Sequence, residues 1–312
     1  MPRFHIGISG WTYTPWRGVF YPKDLVQKKE LEYASRAVNS IEINGTFYSL
    51  QTPKSFGAWE AATPDGFIFS VKANRFITHI RRLKDVEIPM ANFFASGVLR
   101  LGKKLGPILW QLPPSLTYDK EVMETFLGLL PQTSEEAANL AKHHDKFLKS
   151  KAWLEPGPKR RLRHALEVRH ESFKNEEFIR MLRKHRVAIV VADTAGKWPV
   201  IEDVTSDFIY ARLHGDEKLY VSGYSPSALR KWAQKFRTWS EGRSPAKVNR
   251  LAPPDKPNAK GRDIYVYFDN DVKVRSPHDA MSLAHLLGIG PKPPSFPKKL
   301  PKLPGARSSW PR

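Results

Sequence analysis

Six charged side chains stand in short apolar runs of this sequence, at spacings that can bring them together. In 40–44, Glu42 and Asn44 alternate with Ile41 and Ile43; in 68–74, Ser70, Lys72 and Asn74 alternate with Phe69 and Val71. Glu167 and Arg169 are set against Leu166 and Val168, and Tyr210, Arg212 and His214 against Ala211 and Leu213. The run 106–111 offers Leu109 and Gln111, 188–193 ends in Asp193, and 264–270 offers Phe268 and Asn270. Side chains alternate faces along a β-strand, so each run would have an apolar face and a face that can do chemistry.

That chemistry is acid–base work around an anion. Arg169, Arg212 and Lys72 can hold a phosphate or carboxylate through charge-assisted hydrogen bonds. Glu42, Glu167 or Asp193 can act as general acid or base if burial or neighbours tune the carboxyl. His214 and His170 are further proton carriers. The amides of Asn44, Asn74, Gln111 and Asn270 can orient hydroxyls or carbonyls. The competing structural reading is a core ion-pair network in which the three carboxylates and three cations neutralise one another.

Aromatic residues gather in the loops after the same runs: Trp11, Tyr13, Trp16, Phe47, Tyr48, Tyr220 and Tyr224. Trp11, Tyr13 and Tyr48 in particular can stack on a sugar ring or a base, although each can equally serve loop packing. Glu42, Glu167, His170, Asp193, His214 and Asp271 include oxygen and nitrogen donors suited to Mn, Mg or Zn. No HExxH or other tight ligand spacing accompanies them, and the interleaved cations repel a metal. No metal ligands are therefore assigned, no cofactor is expected, and a divalent metal is kept as the lesser alternative. No GxGxxG follows a strand and no P-loop is present, which argues against nucleotide folds of those types.

Eight apolar runs rich in β-branched and aromatic residues (5–10, 40–44, 68–74, 106–111, 164–169, 188–193, 208–214 and 264–270) must position these groups. Helical periodicity fills the intervals 24–38, 53–62, 90–104, 119–130, 134–153, 175–185, 226–240 and 278–287. Asp119 is placed to cap its helix, and Pro277 to start the last one. Strand and helix in alternation eight times predict an α/β TIM (β/α)8 barrel, which presents such residues at the C-terminal mouth of its strands. A doubly wound open sheet is the structural rival.

The chain of 312 residues has an apolar content of 41%, with 17 Phe, 10 Tyr and 9 Trp, enough for one large core. Residues 1–290 are assigned to a single barrel domain. Residues 291–312 contain seven prolines, six basic residues and no acid, and are expected to be an extended or disordered tail. Cysteine is absent, which excludes disulfides, thiolate metal sites and a cysteine nucleophile and agrees with a reducing, cytoplasmic setting. Neither a signal peptide nor a membrane-spanning segment is expected, so no membrane partner is either. The net charge of +20 attracts polyanions and anionic small molecules. The clusters Arg81-Arg82-Leu83-Lys84 and Lys159-Arg160-Arg161-Leu162-Arg163 contribute to it.

Seven ordered blocks resemble the YecE-like family, domain of unknown function 72. The first is Ile6-Gly7-Ile8-Ser9-Gly10-Trp11-Thr12-Tyr13 with Trp16-Arg17-Gly18-Val19-Phe20-Tyr21-Pro22. There follow Glu42-Ile43-Asn44-Gly45-Thr46-Phe47-Tyr48, Phe69-Ser70-Val71-Lys72-Ala73 and Trp110-Gln111-Leu112-Pro113-Pro114. Leu166-Glu167-Val168-Arg169-His170, Ala211-Arg212-Leu213-His214-Gly215 and Tyr265-Val266-Tyr267-Phe268-Asp269-Asn270-Asp271 complete the series. The resemblance covers about residues 4–288 and implies a TIM barrel without an established activity. Where relatives usually read Phe-Asn-Asn, this chain has Phe268-Asp269-Asn270, and the alternation above would turn Asp269 away from the barrel.

Three functions follow as expectations. The first is an acid–base enzyme, hydrolase or isomerase-like, acting on a small anionic or sugar-like (polyhydroxylated) ligand at the mouth. The second is a nucleic-acid-binding or nucleic-acid-processing protein that uses the basic surface. The third is a non-catalytic small-anion sensor.

Overall fold

Each strand pairs in parallel with its neighbours in sequence, and the eighth returns to the first, so the sheet closes. The strands are β1 (Phe4–Ser9), β2 (Ser40–Ile43), β3 (Ile68–Lys72), β4 (Leu105–Gln111), β5 (His164–Glu167), β6 (Ala188–Asp193), β7 (Phe208–Leu213) and β8 (Asp263–Phe268). Closure is unambiguous: β1 and β8 pair from Phe4↔Ile264 to Ile8↔Phe268. The open-sheet alternative is thereby excluded. The structure is a computed structural model and describes residues 3–148, 151–217, 219–220, 222–270 and 274–297.

Helices α1 (Glu30–Ala37), α2 (Gly45–Tyr48), α3 (Pro53–Ala62), α4 (Glu87–Ala95), α5 (Lys120–Leu129), α6 (Ser134–Ala141), α7 (Glu176–His185), α8 (Pro226–Ser240) and α9 (Arg275–Leu286) lie in the connections. Their starts follow local chemistry. The side chains of Asp119, Asn175 and Ser225 accept hydrogen bonds from the Val122, Phe178 and Ala228 amides, satisfying donors that have no intrahelical partner. The interval 90–104 is not one helix. α4 stops, Gly97 takes φ 113°, and 3-10 turns carry the chain through Val98–Lys104. A Cβ on Gly97 would lie 2.6 Å from the Pro53 Cα, so the break lets α3 approach closely. The interval 134–153 is likewise shorter, since α6 ends at Ala141. Among the described residues no helix is long and apolar enough to cross a membrane.

Two apolar layers result. Ile6, Ile8, Ile41, Ile43, Val71, Leu166, Val191, Leu213, Val266 and Phe268 point outward and pack against the helices in one continuous core. Inside the barrel a smaller core holds Leu109, Ala165, Ala188, Val190, Ala192, Phe208, Tyr210, Tyr265 and Tyr267. Large rings from β7 and β8 thus fill the space left by small residues elsewhere, as a closed eight-stranded barrel requires. The buried phenols are satisfied: Tyr267 Oη is 2.7 Å from Ser40 Oγ, and Tyr210 Oη is 2.7 Å from Ser70 Oγ.

Residues 291–296 return to α9. Phe296 lies 5.3 Å from the His278 ring and under the Arg275 guanidinium at 3.8 Å. Residues 298–312, most of the expected tail, lie outside the described residues.

Candidate functional site

Above the tyrosine layer, Arg212 occupies the barrel axis. It is fully buried and binds three carboxylates. Its Nε and Nη2 donate to the two oxygens of Glu42 at 3.1 and 2.9 Å, Nη1 donates to Glu167 at 2.8 Å, and Nη2 donates also to Asp269 at 2.9 Å. Glu42 accepts two further bonds, from Tyr210 Oη at 2.6 Å and Ser9 Oγ at 3.0 Å. Glu167 receives Arg169 Nε at 2.7 Å. Burial opposes charge on both sides of this network, and pairing outweighs it. Burial alone would raise the Glu167 carboxyl, but Arg169 and Arg212 hold it well below the usual carboxylate range. Burial would likewise discharge Arg212, but its carboxylates hold it firmly cationic. Glu42, which accepts four such bonds, and Glu167, which accepts two, are therefore the supports of a fixed guanidinium.

Lys72 differs from both arginines. It is 9% exposed, and its ammonium has no carboxylate or hydrogen-bond partner among the described residues. It sits 4.3 Å from the centroid of the Phe47 ring. Burial, then the nearby Arg212, pushes Lys72 down to about 8. Arg169 lies flat on Trp198 at 3.8 Å, keeping one edge on Glu167. Gln111 pairs with Glu167 across β4 and β5 and is buried, yet its amide has no partner among the described residues. Asn44 Oδ1 is buried without a partner among the described residues. A cation, an amide and a carbonyl with unused hydrogen-bonding capacity thus accompany the ion-pair network.

His214 is the most unusual group. It is fully buried, its Nδ1 is 3.1 Å from Asp269 Oδ2 but off the line of a good hydrogen bond, and its Nε2 has no partner among the described residues. Tyr220 meets the ring edge-on at 5.3 Å and Trp198 at 6.4 Å. Burial lowers the imidazole despite Asp269, so His214 is neutral near pH 7. Burial would raise Asp269, but Arg212 and His214 hold it well below the usual carboxylate range. The pair is a neutral imidazole beside an ionised carboxylate, in close approach without a well-aligned hydrogen bond.

Two sequence expectations about facing are corrected. In β8 the inward residues are Tyr265 and Tyr267, and Asp269 follows them onto Arg212 and His214. Phe268 belongs to the outer core, and Asn270 braces the outside: it donates to Ser222 O and to Asp279, each at 2.9 Å, and accepts from Ser276 at 3.0 Å. In β6 the inward residue is Ala192, so Asp193 turns outward and accepts from Tyr224 Oη at 3.0 Å. Burial raises the Asp193 carboxyl. The third carboxylate of the cluster is therefore Asp269, the position where the family resemblance expects an amide.

Other expected residues serve the framework. Asn74 donates to Thr46 O at 3.0 Å and accepts from the Phe76 amide at 2.9 Å. His170 caps the turn Glu171–Phe173, accepting from the Ser172 amide at 3.2 Å. Trp11 packs edge-on against Trp59 at 5.4 Å, and Tyr13 Oη donates to Ser9 O at 2.6 Å. Tyr48 is 68% exposed beside Phe47, free to meet a ligand. His79 and Trp198 were not singled out by sequence. His79 lies 5.0 Å from the Phe47 ring, and burial with Lys72 and Arg169 lowers it to about 4. Asp271 lies outside the described residues, and among those described no three His, Asp or Glu side chains are grouped to hold a metal ion.

Comparison with known proteins places this geometry in context. The family model described as "Protein of unknown function DUF72" matches residues 5–304, running beyond the stretch of the sequence resemblance. The UPF0759 protein YunF of Bacillus subtilis is 30% identical over 122 residues, 38% of this chain. That alignment spans only 42% of the relative's length. A DUF72 family protein from Thermotoga maritima superposes with a TM-score of 0.68 at 23% identity, over 92% of this chain and 99% of the other. One from Enterococcus faecalis gives 0.65 at 15% identity, over 94% and 100%. Both likenesses speak to the fold.

Proposed function

The chain belongs to the DUF72 family, whose function is unknown, and for this member we propose an enzyme that performs acid–base chemistry on an anionic or polyhydroxylated substrate at the barrel mouth. The observation that carries the reading is the buried His214, with an unpartnered Nε2 and Asp269 beside Nδ1. A buried polar atom without a partner costs free energy that folding would not otherwise leave in place. In this reading Nε2 removes a proton from a substrate hydroxyl, from water, or from carbon next to a carbonyl, and Asp269 stabilises the imidazolium that forms. Lys72 and the outer edge of Arg169 hold the anionic group, while Gln111 and Asn44 orient hydroxyls. Because the His214 ring is covered by Tyr220 and Trp198, substrate entry displaces one of these rings. Glu42 and Glu167 become positioning residues that fix Arg212, and so Asp269.

The test combines binding and turnover. Inorganic phosphate added to the 15N-labelled protein should shift the His214 imidazole resonances, with no such shift in Lys72→Met. Against a panel of phosphate esters and sugar phosphates, His214→Gln should lower kcat/KM by about 10²–10⁴-fold, and Lys72→Met should act mainly on KM. Turnover that survives His214→Gln unchanged would refute the base, and phosphate binding unaffected by Lys72→Met would refute the cradle.

A further inference from the structure

Two concavities lie away from the mouth, at the N-terminal ends of β4 to β8. One, of about 490 Å³, is lined by Lys103, Lys159, Arg160, Arg161 and Arg163 with Asp207. The other, of about 370 Å³, is lined by Arg161, Arg183, Arg186 and Arg262 with Asp207 and Asp255. Arg161 and Asp207 belong to both, so the two adjoin around that pair.

The carboxylates neutralise this surface only in part. Asp207 is shared between Arg161 at 3.1 Å and Arg163 at 3.5 Å, Arg163 also meets Asp263 at 2.7 Å, Lys159 meets Glu135 at 3.4 Å, and Asp203 stands 3.8 Å from Arg183. Arg160 spends its donors on the carbonyls of Gly102 and Leu105, which leaves its charge uncompensated. Lys103 and Arg186 are exposed, with no side-chain partner among the described residues. Arg262 is 2% exposed, and its Nε and Nη1 have no partner among the described residues, although Asp255 stands 3.7 Å from Nη2. Like charges are thus held together where a protein with no anion to bind would disperse them.

We propose that this face, opposite the mouth, binds the phosphodiester backbone of a nucleic acid. The donors are mostly guanidinium forks, which suit phosphate oxygens. Two adjoining basic concavities can take successive phosphates of one strand, and both open to solvent, as a through-running polymer needs. The chain's net charge of +20 steers a polyanion toward the protein before contact. The proposal is independent of the chemistry at the mouth, since none of its residues belongs to that site.

The test uses the full chain and fluorescein-labelled oligonucleotides, single-stranded and duplex, followed by fluorescence anisotropy across a salt series. Binding should weaken linearly on a log–log salt plot. The variant K103Q/R161Q/R186Q should bind at least about tenfold more weakly, with a salt slope reduced by about 2–3. Lys103 and Arg186 have no protein partner to lose, so K103Q/R186Q alone should melt like the parent and still show part of the loss. The proposal is overturned if no oligonucleotide binds at low salt. It is overturned equally if inorganic phosphate binds the groove but no oligonucleotide competes. A loss that follows neutralisation of Arg81, Arg82 and Lys84, or of Lys298, Lys299 and Lys302, with the groove variants unaffected, also overturns it.

Discussion

Replacing Arg212 by methionine tests whether the mouth is organised as described. The cluster contains three carboxylates (Glu42, Glu167, Asp269) and three cations (Arg212, Arg169, Lys72), and Arg212 bonds all three carboxylates. Without it, Glu167 keeps Arg169, Glu42 keeps Tyr210 and Ser9, and Asp269 keeps only His214. Removing one partner of a buried ion pair costs about 3–5 kcal/mol, and three bereft acceptors place R212M at the upper end. That is a large share of the roughly 5–15 kcal/mol that stabilises a typical domain. The pH dependence should change sign. In the parent, Glu167 and Asp269 are held below their unfolded values of 4.5 and 3.8, so stability is lost as pH falls through that region. In R212M the main force holding Asp269 ionised is gone and burial remains, so its folded value rises above the unfolded one and stability grows as pH falls. Urea unfolding followed by circular dichroism at pH 7, pH 5 and pH 3 gives both quantities. Arg212→Lys, which keeps the charge without the fork, should fall between the two. If R212M lies within about 1 kcal/mol of the parent, with the parent's pH slope, the axial guanidinium does not hold the mouth together.

Two further outcomes follow from single groups. Lys72 is held at about 8 in the folded protein against 10.5 unfolded, so the unfolded chain binds the extra proton between these values and stability rises with pH across that window. Lys72→Met should abolish that rise while leaving stability at pH 7 unchanged or slightly higher, as urea titrations at pH 7 and pH 10 would record. Asp193→Ala should cost about 1–3 kcal/mol through loss of the buried Tyr224 contact. It should leave the His214 imidazole resonances where they were, since Asp193 faces away from the mouth.

The barrel was legible because two independent periodicities agreed: strand-like alternation returned eight times, and apolar spacing suited to helices lay between. The polar face was legible wherever a strand carried a clear contrast, as in Ile41/Glu42/Ile43 or Ala211/Arg212/Leu213. β8 misled because tyrosine belongs to both classes. Its inward face is Tyr265 and Tyr267, whose hydroxyls are paid for by serines, and its outward face is Ile264, Val266 and Phe268. Treating the tyrosines as the more polar series would have turned Asp269 inward. β6 offered no contrast, being apolar on both faces up to Asp193, so its terminal carboxylate could be assigned to either side. His79 lies in a short π-helical turn, Phe76–Ile80, and Trp198 in a loop; neither has a periodicity that constrains direction, and only the folded chain brings them near Lys72 and Arg169.

The two faces of the barrel treat charge in opposite ways, and that contrast argues for two tasks. At the mouth, three cations meet three carboxylates inside a low-dielectric core where any surplus would be costly. The excess there is not charge but unused hydrogen-bonding capacity, at His214, Gln111 and Asn44. On the proposed reading, such a site would select a small ligand by the placement of its polar atoms. At the opposite end, eight cations line the paired concavities and five carboxylates (Glu135, Asp203, Asp207, Asp255 and Asp263) meet some of them, which leaves a cationic surplus in contact with water, where it is tolerated and acts at a distance. Such a surface selects by charge density more than by shape. The net +20 of the sequence thus cannot be read from the mouth, which is balanced, and its concentrated share lies at the strand N-termini. Raising the salt concentration should therefore separate the two activities, weakening polyanion binding steeply while leaving the His214–Asp269 pair, buried and screened from counterions, nearly unaffected.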